Sequence, residues 1–357
     1  MPPRPTKPPS TESLLPPILS LLQPPSPNPY SAHQKALTTV SRLTASKNHR
    51  VAIDILFATS KELFKLGEAG SGCELGVKMC TVMLDGEYGV DDESRARLTQ
   101  LLALTPPTGP WRKKLADAAV KWSAEMEECP TGDLNLHQYI GELYYKDRQF
   151  AQAEIHLLAA GKRDASNVLA EMMFEWSEKG QLDPAPYAIR GVLPFLAQTP
   201  PSILPALTFL TRFLALLSAS PASSKLFSST LPSQTSFSLP EIQLTSSPTL
   251  NFLQLALITV QRAPAVGVSG VEARGTTGGI GREWEALVGR YKRLGGGGLL
   301  ADKEVQEILQ EISTNVFLIP PPRSGGQGDM LQNLMGSLFG GGGGGSGGGS
   351  RLPIDGR

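Results

Sequence analysis

Apolar residues recur at helical spacing through most of this chain, and Gly and Pro cut the pattern at short intervals. Val51, Ile55 and Ala58 continue to Leu63 and Leu66, and Val77, Cys80, Met83 and Leu84 repeat the arrangement on the next candidate helix, so each helix carries one apolar stripe. Breaks are expected at 67–72, 105–110, 129–132, Gly161 and Gly180, where Gly, Pro and small polar residues end helices. Helices this short bury their stripes only against one another. The pattern therefore predicts an all-α, tetratricopeptide-like, right-handed α-solenoid of paired antiparallel helices.

One segment gives the repeat in detail. From Ile140 the order Ile140, Gly141, Tyr144, Phe150, Ala153, Leu157, Ala160 reproduces tetratricopeptide spacing, in which a small residue lets two helices approach and large ones fill the gap. Val40, Leu43, Ala52 and Leu56 form a poorer copy. Its alanine precedes Ala153 by 101 residues, about three times the 34-residue period. The repeats are degenerate, so a tetratricopeptide-like stack is expected and a regular array is not.

Four regions follow. Residues 1–29 are dense in proline, which excludes a long helix and favours extended chain, so a disordered or partly ordered N-terminus is expected, with a helical turn or two at Ile18 to Leu22. Residues 30–180 form the N-terminal half of the solenoid and 181–319 its C-terminal half. Within the latter, 218–249 is rich in Ser, Pro and Thr and is expected to be a long loop folding back as a β-hairpin, with strand character at Lys225 to Ser228 and Phe237 to Leu244. Residues 320–357 make a flexible Gly-rich tail. Inside it, Met330, Leu331, Leu334, Met335, Leu338 and Phe339 fall at helical spacing over 330–339, a segment too short to be stable alone that either docks or stays disordered.

The 33 basic and 33 acidic residues cancel, which argues against a nucleic-acid or membrane-surface binder. Charge is nevertheless uneven: residues 1–50 hold Arg4, Lys7, Lys35, Arg42, Lys47 and Arg50 against Glu12 alone. Cys73, Cys80 and Cys129 cannot build a disulfide framework or a standard zinc pattern. The start, Met1-Pro2-Pro3-Arg4-Pro5, lacks the apolar run of a signal peptide, and no run of 18 apolar residues occurs, so a cytoplasmic location is expected.

Catalytic motifs fail in turn. There is no Walker loop, and Gly70-Ser71-Gly72 meets Leu75 where a dinucleotide fingerprint needs its third glycine, so that cluster reads as a turn between helices. His33, His49, His137 and His156 lie in no metal or nucleophile motif and read as surface or capping residues. Asp85, Glu87, Asp91, Asp92 and Glu93 lack the ligand alternation of a calcium loop and read as a solvated connection. No catalytic residue, metal or cofactor is assigned.

Four stretches carry a family resemblance: Tyr30-Ser31-Ala32-His33-Gln34; Gly70-Ser71-Gly72 with Glu74-Leu75; Leu250-Asn251-Phe252-Leu253-Gln254-Leu255; and Met330-Leu331-Gln332-Asn333-Leu334-Met335 running into Gly336 and Phe339. Their order and separation over roughly 28–340 resemble the scaffold subunit of the guided-entry pathway for tail-anchored membrane proteins, the subunit that pairs with a ubiquitin-like-domain partner. Residues 262–283 look like a local insertion in that pattern, and Pro29 stands where relatives show an aromatic residue.

The resemblance implies a non-enzymatic scaffold. Its N-terminal end would contact the ATPase that carries tail-anchored clients, and its C-terminal end would grip the ubiquitin-like partner, which recruits a client-loaded co-chaperone; no nucleic acid or direct membrane insertion is implied. Carried onto this chain, the ATPase-binding residues are Tyr30, His33, Gln34, Arg42, Lys47, Arg50 and Glu74. The basic residues among them suit an acidic surface. The partner-binding residues are Phe252, Leu253, Leu255, Leu257 and Ile258, because a helix apolar on more than its core stripe needs a second cover.

Plainer readings stand beside these. Tyr30 packs within the first repeat, Arg42 pairs with a neighbouring carboxylate, and the helix from Leu250 is covered by its own neighbours. A generic tetratricopeptide-like adaptor for peptide segments is the alternative function, and an enzyme with an unrecognised site is the third.

Overall fold

A computed structural model describes residues 10–126, 130–230, 242–263, 270–294 and 298–320, the side chains of 228–230 and 270–278 excepted. The chain divides into two units, Met1–Leu318 and Ile319–Arg357. Of the second only residues 319 and 320 are described, so the 330–339 segment lies outside the described residues, as does Cys129.

The first unit is an all-α solenoid. Its main helices are α3 (Pro29–Ala45), α4 (His49–Lys65), α5 (Ala69–Asp85), α6 (Asp92–Leu104), α7 (Trp111–Met126), α8 (Leu134–Lys146), α9 (Phe150–Ala160), α10 (Arg163–Gly180), α11 (Ala185–Ala197) and α12 (Ile203–Ala219). Two strands follow, β1 (Phe227–Thr230) and β2 (Gln243–Thr245), then α13 (Pro248–Gln261), α14 (Gly270–Leu294) and α15 (Lys303–Asn315). Helices pack on the next in sequence and on the next but one: α3 on α4 and α5, α4 on α6, α5 on α7, α10 on α12, α11 on α13. That neighbour-to-neighbour pattern is what stacked helix pairs produce.

The expected repeat forms the α8–α9 pair. Ile140, Gly141, Tyr144, Ala153, Leu157 and Ala160 are buried, and a Cβ on Gly141 would stand 2.8 Å from Leu157 Cγ. Glycine is required for this approach. The upstream copy is equally buried: Val40, Leu43, Ala52 and Leu56 seal α3 against α4.

Local chemistry sets the helix ends. Asn28 caps α3 by accepting the Ser31 N–H at 3.0 Å, and Pro29 occupies the first helical position, where its fixed φ and missing N–H cost nothing. Asp91 and Ser94 form a reciprocal capping box on α6, which gives one member of the acidic cluster a structural role. α9 ends on Gly161 at φ 57°, the left-handed position glycine favours.

One expectation on the fold needs correction. Gly70 and Gly72 lie inside the first turn of α5, not in a turn between helices; the break is at Leu66 to Glu68. Added Cβ atoms would meet Trp111 at 3.4 Å from Gly70 and Phe64 at 3.0 Å from Gly72, so these glycines admit two aromatic rings. The proline-rich start is ordered from Ser10. Helices α1 (Thr11–Leu14) and α2 (Pro16–Leu19) and a 3-10 turn to Leu22 bury Ile18 completely, and Thr11 donates to Asp54 Oδ2 of α4 at 3.0 Å. Prolines at helix starts tolerate such short turns. Residues 270–283 form the first part of α14, whose Trp284 is fully buried and stacks on Phe317 at 5.0 Å.

The loop at 218–249 does fold back: β1 pairs antiparallel with β2, with an irregularity between Phe227 and Ser229. Both strands lie further along the chain than the expected Lys225 to Ser228 and Phe237 to Leu244, and residues 231–241 are outside the described set.

Candidate functional site

At the N-terminal end, the candidate residues fall into two groups, one at the start of α3 and one around the α3–α4 turn. Tyr30, His33 and Gln34 occupy its first turns. Tyr30 is 74% exposed and Gln34 is exposed, so Tyr30 does not pack within the first repeat. His33 is buried, and its Nε2 lies 3.2 Å from Glu74 Oε2 of α5, within ion-pair distance but off the hydrogen-bond line. Glu74 is itself largely exposed. The packing of α3 on α5 thus brings His33 and Glu74 together.

Arg42, Lys47 and Arg50 form the second group, around the α3–α4 turn. Arg42 is in the last turn of α3, Lys47 takes φ 59° in the connection, and Arg50 opens α4. All three are exposed, and among the described residues none has a carboxylate within ion-pair distance. Arg42 is therefore not neutralised by a neighbour. Arg50 also lines a cleft of about 160 Å³ with Tyr88, Asp91 and Arg97. Twelve residues of helix separate Tyr30 from Arg42, about 18 Å at 1.5 Å per residue, so the two groups are distinct patches.

At the C-terminal end the structure corrects the sequence reading. Phe252 and Leu253 are fully buried and Leu257 nearly so; the Phe252 ring packs at 5.6 Å from Tyr291 and 6.3 Å from Trp284. α14 and its neighbours supply the cover that α13 needs, so these three residues belong to the chain's own core. Leu255 and Ile258 remain half-buried. Ile258 and an edge of Leu257 line a cleft of about 110 Å³ with Leu207 and Leu210 of α12 and Ile242 and Gln243 at β2. On α12, Leu204 is 57% and Leu207 38% exposed, and a second cleft shares Leu207 and Thr211.

Sequence reasoning passed over the polar members of the same run. Asn251 and Gln254 of α13 bond to the β2 backbone, and the signal available was two amides three residues apart on an otherwise apolar helix. Arg112 was also missed: it is buried, donates to the Thr105 carbonyl and hydroxyl at 2.6 and 3.0 Å, and pairs with Asp147, tying α7 to the α8–α9 turn.

Nor are the histidines surface caps. His137 Nε2 lies 2.8 Å from the Thr131 carbonyl and its Nδ1 3.0 Å from His156 Nδ1. A carbonyl only accepts, so Nε2 carries the proton of neutral His137 and its Nδ1 accepts from His156. Burial and then the neighbouring His137 hold His156 down at about 4. Burial also pushes the Cys73 thiol up, and Cys80 to about 12, the opposite of what a nucleophilic thiolate needs. Among the described residues no cluster of three His, Cys, Asp or Glu could hold a metal ion, and no helix is long and apolar enough to cross a membrane.

A solenoid of helix pairs with a hairpin in its C-terminal half defines a helical-repeat protein, an architecture that commonly presents extended surfaces. The chain belongs to the Golgi to ER traffic protein 4 family, whose model matches residues 46–339. Lys47, Arg50, Glu74 and the α13 residues lie within that match; Tyr30, His33, Gln34 and Arg42 precede it.

Golgi to ER traffic protein 4 of Aspergillus fumigatus is 26% identical over 340 residues, covering 87% of this chain and 85% of its own length. The Homo sapiens homolog is 24% identical over 312 residues, covering 87% and 82%. The Schizosaccharomyces pombe protein is 29% identical over 170 residues, 47% of this chain and 55% of its own length. The crystal structure of C. therm. Get4 superposes with a TM-score of 0.70 at 27% identity, covering 97% of this chain and 99% of that one.

Proposed function

We propose that this chain is a non-enzymatic scaffold in the guided-entry pathway, bridging two proteins during post-translational targeting of tail-anchored membrane proteins to the endoplasmic reticulum. Its N-terminal end docks the client-carrying ATPase, and its C-terminal end holds a ubiquitin-like-domain partner that recruits a client-loaded co-chaperone. It works in the cytoplasm, without cofactor, nucleic acid or insertion into the membrane. Membership of the Golgi to ER traffic protein 4 family carries this reading.

Two surfaces are consistent with it. Arg42, Lys47 and Arg50, unpaired among the described residues, suit an acidic protein face, with Tyr30, Gln34 and Glu74 as a second contact. The cleft at Leu207, Leu210 and Ile258 suits an apolar segment. The first of these needs only rim electrostatics, and the second supplies buried apolar area.

Sedimentation of the purified chain with the targeting ATPase and the ubiquitin-like partner tests the proposal. A ternary complex at concentrations where ATPase and partner alone do not associate is the expected result. Mutually exclusive binding, or binding of neither, would overturn it.

A further inference from the structure

Asn251 and Gln254 sit about one turn apart on α13, and both reach the outward edge of β2. Gln254 Oε1 accepts the Gln243 N–H at 2.9 Å, and its Nε2 donates to the Gln243 carbonyl at 2.9 Å. Asn251 Oδ1 accepts the Thr245 N–H at 2.9 Å, and its Nδ2 donates to the Thr245 carbonyl at 2.7 Å. Residues two apart in a strand present N–H and C=O to the same edge. Two side-chain amides therefore stand in for a third strand, while β1 covers the other edge.

The consequence falls on the cleft between α12 and α13. Ile242 and Gln243 are the hairpin's wall of its lining, with Leu207 and Leu210 from α12 and Ile258 and Gln254 itself from α13. A two-stranded hairpin is marginal by itself, so this wall keeps its place only as firmly as α13 grips β2. None of the residues lining the cleft is charged, which selects an uncharged, apolar occupant. Gln243 Oε1 is buried without a hydrogen-bond partner among the described residues, and an N–H brought in by the occupant would satisfy it.

We propose that Asn251 and Gln254 are positioning residues for this cleft: they fix β2 as a rigid wall, so that an apolar segment of the ubiquitin-like partner enters a preformed groove. This rests on the functional reading above. Preformation spares binding the entropy of ordering the wall, so loss of the amides weakens the complex although neither residue supplies the apolar contact.

The test uses the full chain and the full-length ubiquitin-like partner. Gln254→Met keeps the length of the side chain and removes both bonds. Amide exchange at Gln243 and Thr245 rises and partner affinity falls by about tenfold or more, because the wall must now be ordered on binding. Gln254→Glu keeps the acceptor but sets a carboxylate oxygen against the Gln243 carbonyl, so it weakens binding at least as much. Should Gln254→Met lower the melting temperature of the whole solenoid, Asn251→Asp, which gives up only its donor, carries the test instead. Fast exchange at Gln243 and Thr245 with wild-type affinity overturns the positioning role while leaving the partner site intact. Ile258→Asp, run in parallel, identifies the cleft itself: partner binding unchanged in that variant, or absent in the wild type, removes the functional reading and this proposal with it.

Discussion

The two ends of the solenoid yielded differently to sequence reasoning. Around the α3–α4 turn, Arg42, Lys47 and Arg50 are exposed and unpaired among the described residues, as an excess of charge on one edge implied. On α13, three of five apolar candidates are inside the core. A charged side chain is almost never buried without a partner, so its type nearly fixes its place. An apolar side chain has no such constraint, and periodicity cannot separate a helix packed on all sides from one awaiting a partner. What distinguishes them is what lies opposite, and on α13 that is Trp284 and Tyr291.

The largest effect expected from any test of this contrast is at Phe252. Phe252→Asp removes a buried ring and places a carboxylate between Trp284 and Tyr291, a change of about 4 kcal/mol or more; urea titration followed by far-ultraviolet circular dichroism should show the C-terminal half unfolding at markedly lower denaturant. Ile258→Asp, on the half-buried edge, should cost no more than about 1 to 2 kcal/mol and abolish partner binding in the folded chain. Equal destabilisation by the two would mean that α13 has no exposed working edge.

How far the fold was legible follows from the same asymmetry. The α8–α9 repeat was readable because Gly141 and Leu157 are one contact written twice, as spacing in the sequence and as close approach in space. The hairpin was readable from composition, but its bounds were not, since Asn251 and Gln254, six and eleven residues beyond their strand partners, select which residues pair. Gly70 and Gly72 misled because glycine signals both a turn and a close approach, and here the rings of Trp111 and Phe64 decide for the second. At the site, Glu74 could be placed beside His33 only through resemblance: they are distant in sequence and meet because α3 packs on α5.

A second test concerns polar groups in the interior, where sequence alone again misjudged burial. His156 is held at about 4 by burial and by His137, an effect Lys113 reinforces and Asp117 opposes. The unfolded chain takes up the proton near pH 6.5 and the folded chain does not until about 4, so the unfolded state binds more protons between those values. Stability from this group is whole above pH 6.5 and is lost as pH falls towards 4, by roughly 2 to 3 kcal/mol. Denaturant midpoints measured from pH 7 to 4.5 should fall less steeply for His156→Gln than for the wild type. Parallel curves would show that the buried pair does not control acid sensitivity and that the interior tolerates charge as the surface does.

The smallest effect on the protein itself is expected at the basic turn, where the effect on encounter is the point. Arg42→Glu with Arg50→Glu changes two exposed side chains that make no ion pair with a described residue, so the melting curve should shift by no more than about 0.5 kcal/mol in stability. If these cations steer an acidic face of the ATPase, reversing both replaces attraction with repulsion at the rim, where charge acts mainly on the association rate. Association measured by surface plasmon resonance should slow by about tenfold or more at low salt, and its dependence on ionic strength should flatten or change sign, because screening over about 10 Å at 0.1 M salt hides both attraction and repulsion. Partner binding at the α12–α13 cleft should be unchanged, since that surface is far along the stack and uncharged. An unaltered rate and salt slope would leave the turn as a solvated edge and shift the docking surface to the patch of Tyr30, Gln34 and Glu74, about 18 Å along the helix. There Tyr30→Ala should then raise the dissociation rate, because an aromatic anchor is lost from the contact while its electrostatic approach is preserved.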